Sequence, residues 1–238
     1  MVENEQEQRE CCEELEKLTY NISHDLRAPL RAIQGFVTAL VEDYEDILDE
    51  TGQEFCRRIK KASQDLDGLL DDLLDYSRIG RPPMESVPTD LSAVLHVAMA
   101  SMEKEILESR ARIDFPSEMP DVQGNAPVLV EVTRRILSNA LKFVDDGTTP
   151  VVLITCSRKA GKVRLVFEDN GLGVPAHKRG VIFELFEKAH DIRFEGNGVG
   201  LAIAKKGITR LNGSIGLEPA PKKGSRFWIE LDEAKGNI

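Results

Sequence analysis

Two groups of residues in this chain of 238 have types and spacings that could do chemistry. The first centres on His24, followed at once by Asp25, with Arg27 expected on the same side and Ala28 one turn on, leaving open space above the ring. On a helix that advances about 100° per residue from Ile22, the apolar stripe centres at about 30° and His24 falls at about 200°, so the imidazole faces water. A lone exposed histidine is ordinarily solvated surface. A neighbouring carboxylate changes that, because it fixes the ring tautomer and accepts the proton as an attacking nitrogen becomes cationic. His24 is therefore a candidate nucleophile and Asp25 its candidate base.

The second group is rich in glycine. Glu168-Asp169-Asn170-Gly171-Leu172-Gly173 follows a strand-like run, and Gly196-Asn197-Gly198-Val199-Gly200-Leu201 opens a helix-like one. Glycines let a backbone approach phosphate closely, and a helix N-terminus offers it free amides and the positive end of the dipole. A Gly-x-Gly-x-Gly run alone is equally a turn. A dinucleotide fold would want its glycines after the first strand of a repeating βαβ pattern, which this chain lacks.

These groups need elements to position them. Leu15, Leu18, Ile22, Leu26, Leu30, Ile33, Val37, Leu40, Tyr44 and Ile47 recur every three or four residues, predicting one long amphipathic helix that stops near Asp49-Glu50-Thr51-Gly52. Phe55, Ile59, Ala62, Leu66, Leu69, Leu73 and Tyr76 form a heptad seam for a second helix. A hairpin alone cannot cover both stripes, so packing predicts a homodimer closed as a four-helix bundle. Pro29 should bend the first rod. Gly80-Arg81-Pro82-Pro83 and Pro88 break the pattern. The expected domains are therefore 1–80 (signalling helix and hairpin), a linker at 81–90, and 91–238.

Beyond the linker the signals alternate. Helices are predicted from the Thr89-Asp90 cap to about Leu107, over Pro127–Phe143, over Pro175–Phe186, and from the glycine run to about Leu211. Strands are predicted at Ala111–Phe115, Val151–Cys156, Val163–Phe167, Ile215–Leu217 and Arg226–Leu231. The fold class is α+β: a helical hairpin followed by a two-layer sandwich of helices on a mixed or antiparallel sheet.

The formal charge of -10 is uneven, with 20 acidic against 9 basic residues in 1–80 and near balance beyond. That distribution argues against nucleic acid as a partner, since phosphate binding needs clustered bases. Cys11, Cys12, Cys56 and Cys156 have neither metal-ligand spacing nor scaffold density and read as reduced. With no long apolar run and no basic, apolar leader, the expectation is a cytoplasmic chain without direct membrane contact. His96, His177 and His190 lack partners at ligand spacing and read as ordinary structure. Phe183 and Phe186, one helical turn apart, fit a core or a lid equally.

Ile22-Ser23-His24-Asp25-Leu26-Arg27-Ala28-Pro29-Leu30 resembles the phosphoacceptor motif of histidine kinases, in the version that phytochrome-type kinases often have. Ser138-Asn139-Ala140-Leu141-Lys142-Phe143, the two glycine segments, Phe183-Glu184-Leu185-Phe186 and Lys222-Lys223-Gly224-Ser225-Arg226-Phe227 together resemble the ATP-binding domain shared by histidine kinases, gyrase, the Hsp90 chaperones and the MutL proteins, over about Leu91 to Leu231. The resemblance implies ATP and Mg2+ as cofactors. It implies that Asn139 holds the metal, Lys142 approaches the phosphates, Asp169 bonds the adenine amino group, and Gly171 and Gly173 shape the base pocket. It further implies that Gly196, Gly198 and Gly200, with Leu201, line the phosphates, and that residues 187–195 form a lid. The implied reaction is autophosphorylation of His24 and transfer to an aspartate on a response-regulator receiver domain, under an upstream sensor domain not present in this chain. The nucleotide domain is expected to swing at Arg81-Pro82-Pro83.

Two positions depart from the pattern. Arg135 stands where kinases usually have asparagine and hydrolysing relatives have glutamate, and arginine cannot serve as a base at neutral pH. Ala28 stands where many relatives have Thr or Asn to orient water for partner dephosphorylation, and alanine has no side-chain hydrogen bond to offer. Two other readings stay open: an ATPase of the gyrase and Hsp90 type, and a non-catalytic dimeric docking module whose ATP site only stabilises the fold.

Overall fold

The computed structural model describes residues 2–44, 46–79, 85–190 and 196–234, with side chains from residue 20 onward. The chain divides into two units, 1–78 and 79–238. The side chains of Cys11, Cys12, Leu15 and Leu18, the hinge expected at 81–83 and the lid residues 191–195 lie outside the described residues.

The first unit is a hairpin of α1 (Val2–Tyr44) and α2 (Glu50–Arg78). The residues expected to stop α1 instead begin α2. Asp49 Oδ1 accepts the Gly52 amide at 2.7 Å, the bond of an N-cap, and the Asp49 carbonyl accepts Gln53 N–H at 3.0 Å. Pro29 sits inside α1, where the helix continues through it.

The hairpin closes on a seam one residue out of phase with the predicted stripe on α2 and along one edge of that stripe on α1. Ser23, Leu30 and Val37 of α1 are buried, as are Cys56, Ser63, Leu70, Leu74 and Ser77 of α2. Of the stripe predicted on α1, only Leu30 and Val37 among the described side chains lie in this seam. Ile22, Leu26, Ile33, Leu40, Tyr44 and Ile47 stay exposed, and so do Phe55, Ile59 and Leu66 of α2. Two heptad phases thus run side by side, and the one with smaller, more polar residues faces inward. Arg27 belongs to the inner phase. It turns away from the His24 side to pair with Asp71, and with Asp67 at 3.6 Å, across the hairpin.

The second unit stacks helices on one face of a five-stranded sheet. β1 (Val87–Thr89) and β3 (Val122–Gly124) form a separate antiparallel pair. Residues expected in the linker are therefore part of the fold. Asp90 caps α3 (Leu91–Ser101) by accepting the Ser92 and Ala93 amides. The single helix predicted to Leu107 breaks at Met102, and α4 (Glu103–Ser109) ends at Arg110 in the left-handed conformation, φ 53°. Strand β2 (Arg112–Asp114) follows, then α5 (Ala126–Lys142) capped by Asn125.

The remaining elements are β4 (Val151–Lys159), β5 (Lys162–Asp169), α6 (Gly200–Arg210), β6 (Ser214–Pro219) and β7 (Ser225–Asp232). The sheet order is β2-β4-β5-β7-β6, parallel at β2–β4 and antiparallel elsewhere, which resolves the expected sheet as mixed. β7 alternates as a half-covered strand must, with Phe227, Ile229 and Leu231 inward and Trp228 and Glu230 outward. Leu95, Leu129, Val132, Ile136, Phe167, Ile203 and Ile208 fill the layer between helices and sheet. Pro175–Phe186 is not the predicted helix. A single 3-10 turn at Ala176–Lys178 leads into tight turns, and Phe186, at φ 66°, gives its amide to the Gly198 carbonyl instead of to a helix.

Candidate active site

His24 lies on α1 with its side chain 75% exposed, and its Nδ1 stands 3.2 Å from Asp25 Oδ1. With Nδ1–H donating to that carboxylate, the lone pair is on Nε2, directed at solvent. Both groups are open to water, so the bond orients the ring more than it polarises it. Ala28 is exposed on the same helix and places no polar atom beside the ring.

In the second unit, Asp169 ends β5 at the sheet's helix-covered face and is almost wholly buried. Its Oδ1 accepts two backbone amides, Gly171 N at 2.9 Å and Ser225 N at 3.0 Å. Burial pushes the Asp169 carboxyl up, those two bonds pull it back, and Glu168 nearby adds to the rise, for a net upward displacement. Oδ2 makes no bond among the described residues and is the oxygen available to a ligand's donor.

The glycines around it are set by close approach. A Cβ on Gly171 would run into the Phe143 carbonyl, and one on Gly224, at φ 110°, would run into the Asp169 carbonyl. Gly173 packs on Gly224. Its carbonyl accepts His190 Nε2–H at 2.7 Å, so His190 holds this turn. Asn170 turns away from the site: its side chain accepts Val151 N–H at 2.9 Å and donates to the Thr149 carbonyl at 3.0 Å. A cavity of about 350 Å³ opens beside these turns, with Gly173, His190, Gly224 and Ser225 in its wall.

The phosphate-type elements meet along α5. Glu131, Arg135, Asn139 and Lys142 are spaced 4, 4 and 3, which puts them on one face of the helix. The glycine run lies against that face. A Cβ on Gly196 would stand 3.2 Å from Lys142 Nζ, and one on Gly200 would stand 3.5 Å from Arg135 Cδ. Gly200 and Leu201 open α6, whose N-cap residue, Val199, offers no side-chain acceptor to the first amides of the helix. Gly198, at φ 70°, is held by its carbonyl accepting Phe186 N–H at 2.9 Å, and a Cβ there would stand 2.7 Å from the Glu187 carbonyl. Phe186 itself is exposed, whereas Phe183 packs edge-on against Phe227 at 6.4 Å. The two phenylalanines therefore divide between surface and core.

Asn139, Lys142, Asp169, Gly171, Gly173, Gly196, Gly198, Gly200 and Leu201 thus all belong to the second unit, and His24 and Asp25 to the first. Ser225 stood in the late glycine motif without its role, which is to hold Asp169 through its amide, and Glu131, whose carboxylate holds Arg134 and Arg135, was not singled out at all. The i, i+4 spacing of Glu131 and Arg135 was the readable signal for the latter pair. His190 was read as structural, and no spacing rule connects it to Gly173. His96 is a surface contact, edge-on to Phe115 at 5.3 Å. Among the described residues no cluster of three or more His, Cys, Asp or Glu side chains forms a metal cage. A hard cation would here take an amide oxygen such as that of Asn139 and draw its other ligands from phosphate and water, which suits Mg2+.

Comparison with known proteins gives a consistent neighbourhood. The family described as His Kinase A (phospho-acceptor) domain matches residues 14–82, and that described as histidine kinase-, DNA gyrase B-, and HSP90-like ATPase matches residues 124–235. The phytochrome-like protein Cph1 of Synechocystis is 32% identical over 92% of this chain and 29% of its own length. The sensor histidine kinase AruS of Pseudomonas aeruginosa is 31% identical over 91% of this chain and 22% of its own. The chain therefore spans less than a third of the length of these curated relatives. Full-length ShkA, solved in complex with AMPPNP, superposes with a TM-score of 0.67 at 25% identity, covering 93% of this chain and 47% of that one. No helix among the described residues is long and apolar enough to cross a membrane.

Proposed function

We propose that this chain, whose residues 14–82 match the His Kinase A phosphoacceptor family and 124–235 the histidine kinase-, gyrase B- and Hsp90-like ATPase family, is the catalytic part of a sensor histidine kinase that binds ATP in the second unit and phosphorylates its own His24. The observation that carries this reading is the coexistence of a solvent-facing His24, its tautomer set by Asp25, with a glycine-lined site built around buried Asp169. Nε2 of His24 attacks the γ-phosphorus of ATP. A P–N bond forms as the bond to the bridging oxygen breaks, and ADP leaves. The ring becomes cationic as it attacks, and Asp25 stabilises or accepts the Nδ1 proton. The phosphoryl group then passes to a carboxylate oxygen of an aspartate on a receiver domain, regenerating the imidazole.

In the nucleotide unit, Asp169 Oδ2 takes the adenine amino group, and the glycine run with the N-terminus of α6 takes the phosphates. Lys142 adds a point charge beside Gly196. When bound, Mg2+ at Asn139 supplies charge neutralisation to the leaving polyphosphate. The catalytic task left to the chain is positioning and charge complementarity.

A second copy of the chain completes the hairpin. Ile22, Leu26, Ile33 and Leu40 of α1, and Phe55, Ile59 and Leu66 of α2, form an exposed apolar stripe that a single hairpin leaves uncovered. A homodimeric four-helix bundle buries it. An upstream sensor then acts through α1, and a receiver domain is the partner.

The deciding experiment incubates the purified chain with Mg2+ and γ-labelled ATP and looks for acid-labile, base-stable label in wild type and His24→Gln. Label in the wild type alone is the expected result. Equal label in both, or none in a wild type that binds ATP, overturns the reading.

A further inference from the structure

Arg135 is the residue at this site that the family pattern does not explain, and the structure gives it a setting. Its side chain is only 12% exposed, and Nε donates to Glu131 Oε1 at 2.5 Å. The same carboxylate takes the fork of Arg134, through Nε at 2.9 Å and Nη2 at 2.8 Å. One carboxylate therefore faces two guanidiniums. The stem of Arg135 passes 3.5 Å from where a Cβ of Gly200 would stand, at the start of α6, one turn along α5 from Asn139.

We propose that Arg135, positioned by Glu131, is a polyphosphate ligand that takes over part of the charge neutralisation otherwise left to Mg2+, so that this chain binds metal-free ATP unusually well. The inference rests on the nucleotide-binding reading above. An asparagine at 135 would bring an uncharged amide. Arginine brings a permanent positive charge and a planar fork of donors matched to phosphate oxygens. Glu131 holds the guanidinium against the α5 face beside the glycine run, which reduces the rotamer freedom lost when phosphate arrives. The same positive charge one turn from Asn139 opposes a divalent cation there. Because that charge favours the metal-free nucleotide over the metal-bound one, it lowers the coupling between Mg2+ and ATP, and by linkage Mg2+ must strengthen ATP binding by a smaller factor than it does without the arginine.

The test measures binding of a fluorescent ATP analogue to the full chain, with Mg2+ and with EDTA, for wild type, Arg135→Asn and Arg135→Lys. Thermal unfolding serves as the folding control. Arg135→Gln, closer to arginine in length, gives the same reading should asparagine unfold the chain. Loss of one charge-assisted contact predicts that the Asn variant binds metal-free ATP more weakly by roughly tenfold or more. Its Mg2+ dependence should rise correspondingly, with the Lys variant intermediate. AMP, which has neither a β- nor a γ-phosphate, should bind all three alike. Equal metal-free affinity in wild type and Asn variant, or an unchanged Mg2+ dependence, overturns the assignment. A folded wild type that binds no nucleotide overturns both this and the kinase reading. Nucleotide binding with the expected Arg135 effect but no label on His24 overturns the kinase reading alone.

Discussion

Asp169→Asn separates what this carboxylate does for the fold from what it does for the ligand. Asparagine is nearly isosteric and keeps Oδ1, so the bonds from Gly171 N at 2.9 Å and Ser225 N at 3.0 Å survive. The group exchanged is Oδ2, which becomes an NH2 donor. A buried carboxylate whose pKa burial has pushed up costs the fold something when ionised. The substitution should therefore leave the second unit as stable as before, or more stable, at neutral pH. Because the folded pKa lies above the unfolded one, the wild-type penalty is full above the folded value. The advantage of asparagine should accordingly shrink as pH falls from that raised value toward the ordinary aspartate value of about 3.9.

Binding should move the other way. Losing a hydrogen bond to a charged acceptor costs about 1.5–3 kcal/mol, roughly ten- to a hundredfold in ATP affinity. The donor–donor clash with the adenine amino group pushes the loss toward the upper end. A purine with a carbonyl in place of that amino group would instead accept from the new NH2, so the ratio of ATP to ITP affinity should fall further than ATP affinity alone requires. Fluorescent-nucleotide competition on wild type and variant, beside thermal melts at several pH values, reads all of this. An Asp169→Asn chain that folds and binds ATP as tightly as wild type would refute the adenine assignment. A chain that unfolds would refute the claim that Oδ1 alone supports the turn.

Gly224→Ala places a methyl against the Asp169 carbonyl at φ 110°, so it should destabilise the second unit by about 2 kcal/mol or more and shift the melt accordingly. Arg27→Ala removes pairs with Asp67 and Asp71 whose carboxylates are largely solvated, and chemical denaturation should register a loss of about 1 kcal/mol or less. Paired Ile33→Asp and Leu66→Asp changes set charges into the exposed stripe, and light scattering should report a monomer. Ala28→Thr supplies a hydroxyl at an exposed position one turn from His24, and loss of phosphate from a labelled receiver domain should be faster with it than with wild type.

The second unit was legible wherever a local rule governs. Val151–Cys156 and Val163–Phe167 lie within β4 and β5 because β-branched runs flank the Ala160-Gly161 turn, and the α5 helix follows the Asn125 cap and Pro127. What stayed hidden depends on contacts distant in sequence. β1 and β3 are three-residue strands that exist because Val87 pairs with Gly124, a register no local pattern announces. The helix read over Pro175–Phe186 failed because its apolar residues serve different neighbours: Phe183 meets Phe227, while Phe186, at φ 66°, hands its amide to Gly198. Asp169 was picked from its motif, but its dependence on Ser225, 56 residues on, is a consequence of β5 and β7 lying side by side.

The hairpin shows a different limit, since its periodicity was strong and still did not say which residues close the hairpin on itself. Heptad spacing identifies a seam without saying which partner fills it. α2 has two phases: Phe55, Ile59 and Leu66 stay exposed, while Cys56, Ser63, Leu70 and Ser77 are buried against α1. Beside Leu70 and Leu74, the inner phase of α2 buries two serines and a cysteine, and Ser77 Oγ finds no partner among the described atoms. At about 25 cal/mol per Å² of apolar area, such side chains contribute little next to a leucine or phenylalanine. The hairpin therefore rests on Leu30, Val37, Leu70 and Leu74 along its own seam, and the outer stripe offers it more large apolar side chains than that seam does. If a second copy covers that stripe, the helices are anchored to the partner chain more firmly than to each other. Rotation or sliding of α1 against α2 then costs less than opening the dimer core, which stays closed. That is the mechanical property a helix needs if it is to pass a displacement to His24 without dissociating.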